Sequence, residues 1–235
     1  MLAIKNLEVK AGSFSLKDIS FTINKGSYHV LIGPSGSGKT LLLNTIAGFQ
    51  KIKNGEIVFE GHQIQNSPPE KRGISYLFQD LALFPHLSVF NNIAYPLRNK
   101  KLSREDLVKK VEEYLEFTEI KSLANRSIKK LSGGERQRVA LSRILITGAP
   151  VVMLDEPFSA IDSQLKPSLK ALLKKISAQG ISILHVTHDF NEIKNLADTV
   201  TVIKNGSILV SGCVSEVLTK TDDEFVKSFI NKDIE

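Results

Sequence analysis

No disulfide can form within this 235-residue chain, because it has a single cysteine, Cys213. Stability must come from a hydrophobic core, and a chain of this length can bury one, as a large domain or as a core with a subdomain. The lone cysteine and the lack of a charged-then-apolar leader over residues 1–10 predict a cytosolic setting, with Cys213 inert. Long hydrophobic runs are also missing. The longest uncharged stretch, residues 81–97, contains Pro85, His86, Asn91, Asn92 and Pro96, which would leave polar groups unsatisfied in lipid, so the chain is not expected to span a membrane by itself. Linkers, low-complexity segments and internal repeats are absent as well. Charge of neither sign dominates: 31 Lys and Arg stand against 25 Asp and Glu, net +6. The lysines are scattered in pairs such as Lys100-Lys101 and Lys129-Lys130, which reads as a solvated surface.

What is present centres on residues 28–43. An apolar strand-like run (Val30, Leu31, Ile32) leads into Gly33, Pro34, Ser35, Gly36, Ser37, Gly38, Lys39 and Thr40, and an aliphatic helix pattern follows. Glycine, four residues, then Gly-Lys-Thr is the phosphate-binding P-loop spacing. The glycines let successive N–H groups point into one concavity, and the helix opening near Gly38 adds roughly half a positive charge there. A triphosphate fits such a pocket. Lys39 is placed to reach its β- and γ-phosphates, and the Thr40 hydroxyl to ligate the bridging Mg²⁺.

Before this loop, residues 2–9 and 14–23 alternate apolar with polar side chains around Ala11-Gly12-Ser13 and predict a strand pair, and Asn54-Gly55 introduces a further antiparallel piece over 56–59. Residues 74–78 form a short apolar strand ending at Gln79-Asp80. Residues 81–130 then change character. A proline-marked apolar stretch precedes helical spacing at Leu107, Val111, Tyr114 and Leu115, with Ser103 as N-cap, predicting a helical subdomain inserted between two parts of an α/β core, 1–80 and 131–235. Beyond it, residues 151–154 read as a buried parallel strand, a helix begins near Leu165, and 181–186 form the next strand. Thr187-His188-Asp189 is expected to start another helix, and a hairpin over 200–210 and two short helices close the chain.

Asp155 and Glu156 lie at the end of the apolar 151–154 run, which in a parallel sheet is the ligand-binding edge. Asp155 can hold Mg²⁺ through water, and Glu156 can orient and deprotonate an attacking water. Strand alternation is expected to point the two carboxylates in different directions.

A second glycine cluster, Leu131-Ser132-Gly133-Gly134-Glu135-Arg136-Gln137-Arg138, resembles the signature sequence of ABC-type ATPases, whose usual fifth residue is Gln where this chain has Glu135. The other motifs stand in that family's order over essentially the whole chain: the P-loop, Gln79 as the Q-loop glutamine, the signature, Asp155-Glu156, Ser159-Ala160-Ile161-Asp162 as the D-loop, and His188 as the switch histidine. The resemblance implies an α/β fold, a P-loop NTPase RecA-like core with an antiparallel β layer and an inserted α-helical subdomain. It implies ATP and Mg²⁺ as ligands and a head-to-tail dimer with a second copy, in which Ser132, Gly133 and Gly134 of one chain complete the phosphate site of the other. On that pattern Glu156, His188 and Gln79 are catalytic, Thr40, Gln79 and Asp155 meet the metal, and Asp162 connects the two sites. His185, inside a strand, is expected to be structural.

In that family an aromatic residue between the first two strands stacks on adenine, and the equivalent place here is at or near Ala11. Phe14 is the nearest ring, and it either stacks on the base or packs in the core. Residues 76–89 are similar to ATPase subunits of importers for oxyanions, ferric iron, polyamines and sugars, and with Lys39-Thr40-Leu41 most like the molybdate and tungstate group. Such importers often carry a further C-terminal domain, whereas this sequence stops at Glu235, near where one would begin. The resemblance further implies an integral membrane permease as partner, an extracytoplasmic solute-binding protein acting indirectly, and a peripheral place at the cytoplasmic face of the membrane. Leu83, Phe84 and Leu87 are expected either to form the groove for a helix of the membrane partner or to pack in the core of the helical subdomain. Subunits of exporters or lipoprotein-release systems, and soluble ABC ATPases, are the alternatives. The soluble kind usually shows a coiled coil or tandem cassettes, neither of which is in this sequence, so no nucleic acid partner is expected.

Overall fold

The computed structural model describes residues 1–159, 161–193, 195–220 and 223–230; Ala160 of the expected D-loop falls outside them. Two sheets organise the chain. β1 (Leu2–Ala11), β2 (Phe14–Ile23), β4 (Asn54–Phe59) and β5 (His62–Gln63) form an antiparallel layer in the order β2-β1-β4-β5. The second sheet runs β10-β9-β3-β8-β7-β6 and comprises β3 (Tyr28–Ile32), β6 (Ile74–Leu77), β7 (Val151–Asp155), β8 (Ser182–Thr187), β9 (Thr199–Lys204) and β10 (Ser207–Cys213). Its pairings are parallel except for the β9–β10 hairpin. All residues of β3, β7 and β8 are buried, as expected for strands covered on both faces.

Three apolar clusters hold these layers. One joins the antiparallel layer to the sheet through α1 (Lys39–Ala47) and includes Ile19, Leu31, Leu42, Ile46, Met153 and Leu184. A second covers the opposite face of the sheet, where Leu141 of α4 (Gly133–Leu145) and Leu172 and Ile176 of α5 (Lys166–Ser177) pack. The third lies between β6 and α4 in sequence, where α2 (Val89–Ala94) and α3 (Arg104–Phe117) bury Ile93, Val111 and Leu115. α4 belongs to both: Val139 packs into the third cluster and Ala140 into the second. Its N-terminus is therefore fixed to the helical insertion and to the sheet at once. The last elements among the described residues are α6 (Val214–Lys220) and α7 (Glu224–Ile230).

Local chemistry sets the ends of these elements. Ser103 caps α3 by accepting from Asp106 N–H at 3.0 Å. Pro167 falls in the first turn of α5, where a missing N–H costs nothing. The C-terminus of α1 is closed by buried Arg72, whose guanidinium donates to the carbonyls of Thr45 and Ile46 at 2.9 and 2.8 Å. The helix expected from residue 187 is only a 3₁₀ turn, Phe190–Glu192. Asp189 accepts from Asn191 N–H at 2.9 Å, and buried Glu192 is drawn to the Thr187 hydroxyl at 2.7 Å and to Lys166 Nζ at 2.9 Å, contacts that tie the segment down before a helix can extend.

Two histidines are buried in the sheet. Both His29 ring nitrogens meet hydroxyls, Thr199 at 2.7 Å and Thr201 at 3.0 Å, and His185 Nδ1 meets the Tyr28 hydroxyl at 2.8 Å while its Nε2 has no partner among the described residues. Burial depresses both, to about 4 for His29 and about 3 for His185, so each folds neutral. Unfolded histidine titrates near 6.5, so the stability from burying the neutral rings is complete above that pH and is lost as pH falls from there toward 4. Urea unfolding followed by circular dichroism should lose about 2 kcal/mol per histidine between pH 7 and 5. His29→Gln should remove roughly half of that dependence, and equal stability at both pH values would contradict the assignment.

Candidate functional site

The loop between β3 and α1 folds back on the sheet because glycine alone fits its ends. A Cβ on Gly33 would lie 2.1 Å from the Ile203 carbonyl oxygen. Gly38 adopts φ +101°, and a Cβ there would come within 2.6 Å of Leu16 and 2.8 Å of Phe14. The loop thus rests directly on β2, which brings the Phe14 ring to its edge. Lys39, buried, folds across the loop and donates to the carbonyls of Gly33 at 2.8 Å and Pro34 at 2.9 Å. Its burial lowers the ammonium pKa, and Glu156 and then Asp155 pull it back up.

Asp155 ends β7, adjacent in the sheet to both β6 and β8. Its carboxylate is buried and accepts at Oδ1 from the Thr40 hydroxyl, 3.4 Å away, and at Oδ2 from the Tyr76 hydroxyl, 3.1 Å away. Burial raises its pKa, and the two hydroxyl bonds oppose the shift. Glu156 then turns out of the strand. Its φ is +46°, a left-handed conformation that non-glycine residues seldom adopt, and its N–H is held by the Val186 carbonyl at 2.9 Å. This turn separates the two carboxylates, not the strand alternation expected from the sequence. His188, at the end of β8, places Nδ1 3.1 Å from Glu156 Oε1.

A cavity of about 370 Å³ is lined by Phe14, Ser35, Gly36, Gly38, Lys39, Thr40, Leu41, Gln79 and Glu156. The P-loop, the Q-loop glutamine, Glu156 and the aromatic ring that sequence reading left between two roles therefore meet in one place. Phe14 is half-buried and also touches the apolar cluster beneath, so both of its expected environments are present.

Ser132, Gly133 and Gly134 stand apart. They open α4, where the Ser132 side chain accepts from Glu135 N–H and Glu135 Oε2 accepts from Ser132 N–H at 2.7 Å, a closed capping box. The residue that departs from the family's usual glutamine is the one that closes this box. Ser132 and Gly134 line a different cavity of about 300 Å³, with Arg138, Ile161 and Leu165, and among the described residues none of the three signature positions lines the P-loop cavity. Asp162 is exposed and precedes the 3₁₀ turn Ser163–Leu165.

Tyr76 opens the importer-like stretch, but nothing in the sequence signals a role for it at the site, because its contact with Asp155 crosses between strands. In the expected docking stretch, Leu83 turns inward against two apolar clusters, while Phe84 lies against Tyr95 with ring centroids 4.2 Å apart and the rings tilted by 39°. No described helix is long and apolar enough to cross a membrane.

Comparison with known proteins gives the family and the fold. Residues 16–159 match the ABC transporter family. The chain is 43% identical over 234 residues to a molybdate/tungstate import ATP-binding protein of Methanocaldococcus jannaschii, covering 100% of this chain and 77% of that one. A protein of the same description from Pyrococcus horikoshii is 39% identical, with 98% and 67% covered. A spermidine/putrescine import ATP-binding protein of Clostridium novyi is 40% identical over 92% of this chain and 62% of its own length. Among solved structures, the dimeric post-hydrolysis state of the ATP-binding cassette MJ0796 with ADP and Pi superposes with a TM-score of 0.80 at 30% identity, covering 91% of this chain and 99% of that one. MJ1267, an ATP-binding cassette of an ABC transporter, gives 0.86 at 28%, with 97% and 98% covered. On the family match over residues 16–159 and the identity to import ATP-binding proteins over nearly its full length, the chain belongs to the ABC transporter family, as an ATP-hydrolysing subunit.

Proposed function

We propose that this subunit powers import of an oxyanion of the molybdate or tungstate kind, working as a head-to-tail dimer on an integral permease at the cytoplasmic face of the membrane, with an extracytoplasmic solute-binding protein delivering the anion. The observation that carries the dimer is the separation of the P-loop cavity from the signature cavity: each holds part of a γ-phosphate site, and a second copy supplies the missing part. The cargo rests on the relatives from Methanocaldococcus jannaschii and Pyrococcus horikoshii.

Within one half-site, Lys39 and the P-loop N–H groups, from Gly33 through Thr40, hold the β- and γ-phosphates, and the Phe14 ring at the cavity edge stacks on adenine. Thr40, Asp155 and Gln79 offer a hydroxyl, a carboxylate and an amide oxygen, hard donors suited to Mg²⁺. Among the described residues no cluster of three or more His, Cys, Asp or Glu offers a cage, which fits an ion that shares its ligands with phosphates and water. When bound, Mg²⁺ supplies positive charge to the phosphate oxygens. Glu156 takes the proton of the attacking water, and its Oε1 is held by His188. For His188 to hold Glu156 and a γ-phosphate oxygen together, both ring nitrogens must carry hydrogen, since both partners accept. Ser132 and the N–H groups of Gly133 and Gly134 approach the γ-phosphate of the other copy, and Asp162 links the two half-sites.

Deleting the chain from its cell and measuring uptake of molybdate, tungstate, sulfate, ferric iron and spermidine side by side tests the cargo. Loss confined to molybdate and tungstate is the expected result. Unchanged oxyanion uptake with loss of another solute would remove the cargo and leave the ATPase untouched.

A further inference from the structure

We propose that Tyr76 is a positioning residue that locks the Asp155 carboxylate in the rotamer from which Oδ1 faces the metal side of the ATP site. The inference rests on the reading of Asp155 and Thr40 as Mg²⁺ ligands given above. Its observation is the asymmetry of the two hydroxyl contacts. Thr40 meets Oδ1 at 3.4 Å, a long bond that leaves this oxygen available, whereas Tyr76 meets the other oxygen, Oδ2, at 3.1 Å.

The sheet register explains how the ring reaches. Tyr76 lies opposite Met153 in the parallel β6–β7 pair, and Met153 and Asp155 share a face because side chains alternate along a strand. Two residues of strand advance about 6.6 Å, close to the span from the Tyr Cα to its hydroxyl. The phenol therefore lies along the sheet and arrives at Asp155 from behind. Its ring is held there by Phe78, with centroids 4.2 Å apart, and by Phe49 at 6.4 Å. A carboxylate buried as Asp155 is, and bonded on one oxygen only by a distant hydroxyl, is free to turn about its side-chain torsions. With Oδ2 fixed by a ring that is itself packed, the remaining oxygen presents one direction. Donors standing behind metal-ligating groups commonly account for a tenfold or larger part of metal affinity.

Tyr76→Phe keeps the ring and removes the hydroxyl. Binding of Mn²⁺ to the protein saturated with a non-hydrolysable ATP analogue, followed by electron paramagnetic resonance, should weaken about tenfold. Binding of a fluorescent ATP analogue in EDTA should stay at its wild-type value, which a hydroxyl that only shaped the nucleotide pocket would not allow. Asp155→Asn should weaken Mn²⁺ by itself, and adding Tyr76→Phe to it should change nothing more. If Asp155→Asn weakens Mn²⁺ while Tyr76→Phe leaves it unaltered, Tyr76 does not position the ligand. If Tyr76→Phe lowers nucleotide binding in EDTA equally, the hydroxyl is structural and the proposal falls. If Asp155→Asn leaves Mn²⁺ binding intact, the reading of Asp155 as a ligand fails first, and this proposal with it.

Discussion

Glu156→Gln slows ATP hydrolysis by about a hundred- to ten-thousand-fold and leaves ATP affinity near its wild-type value. The amide is isosteric with the carboxylate and keeps an oxygen for His188, 3.1 Å away in the wild-type chain, so the pocket retains its shape. It cannot take the proton of the attacking water. The phosphate cradle, the Lys39 charge and the Asp155 carboxylate are unchanged, so the nucleotide still binds and the paired state that precedes hydrolysis accumulates. Light scattering of the variant with ATP should show a species of twice the chain mass, and phosphate release should be nearly absent. Hydrolysis at the wild-type rate would mean that another group serves as the base. The backbone adds a requirement of its own: Glu156 sits at φ +46°, so only substitutions that tolerate this left-handed position test the side chain alone.

The second large effect concerns division of the site between two chains. Lys39→Ala removes the ammonium that the P-loop folds around and should weaken ATP about ten- to a hundredfold, the worth of charge-assisted hydrogen bonds to phosphate. Ser132→Arg leaves that pocket intact but puts a bulky cation where, in the proposed head-to-tail dimer, the signature would meet the partner's γ-phosphate, and removes the hydroxyl that caps α4. Neither variant alone can build an intact interface, because every pairing of like chains carries the lesion in both half-sites. Mixed, they form one interface from an intact P-loop and an intact signature, and a second that carries both defects. Chemical crosslinking should give an ATP-dependent dimer in the mixture and none in either variant by itself. ATP-dependent dimers of each variant alone, at wild-type yield, would show that the signature does not act in trans.

How far the sequence discloses this arrangement depends on whether the relevant chemistry is local. The P-loop is legible because its glycines answer a need confined to eight residues, and the close approach of Gly33 to Ile203 is its structural counterpart. Buried parallel strands are legible as unbroken apolar runs, as at residues 151–154, and Ser103 as a cap because Asp106 follows at the right distance. Relations between elements are not legible in this way. Tyr76 reaches Asp155 only through the β6–β7 register, which no single segment encodes. The segment after β8 has helix-starting residues, yet buried Glu192 is recruited by Lys166 and Thr187, and the chain yields a single 3₁₀ turn instead. The direction of Glu156 was expected from strand alternation, and a left-handed turn held by the Val186 carbonyl sets it. Phe14 stays between core and base because its ring both packs on an apolar cluster and lines the P-loop cavity.

That one chain holds two incomplete halves of an ATPase site is tested most directly by the specific activity of the isolated wild-type protein as it is diluted, with the mass in solution measured at each concentration. The two-chain site predicts that hydrolysis per chain falls in proportion to the dimer fraction and approaches zero where only a 26.0 kDa species remains. Constant hydrolysis per chain down to concentrations where the protein is wholly monomeric would contradict it.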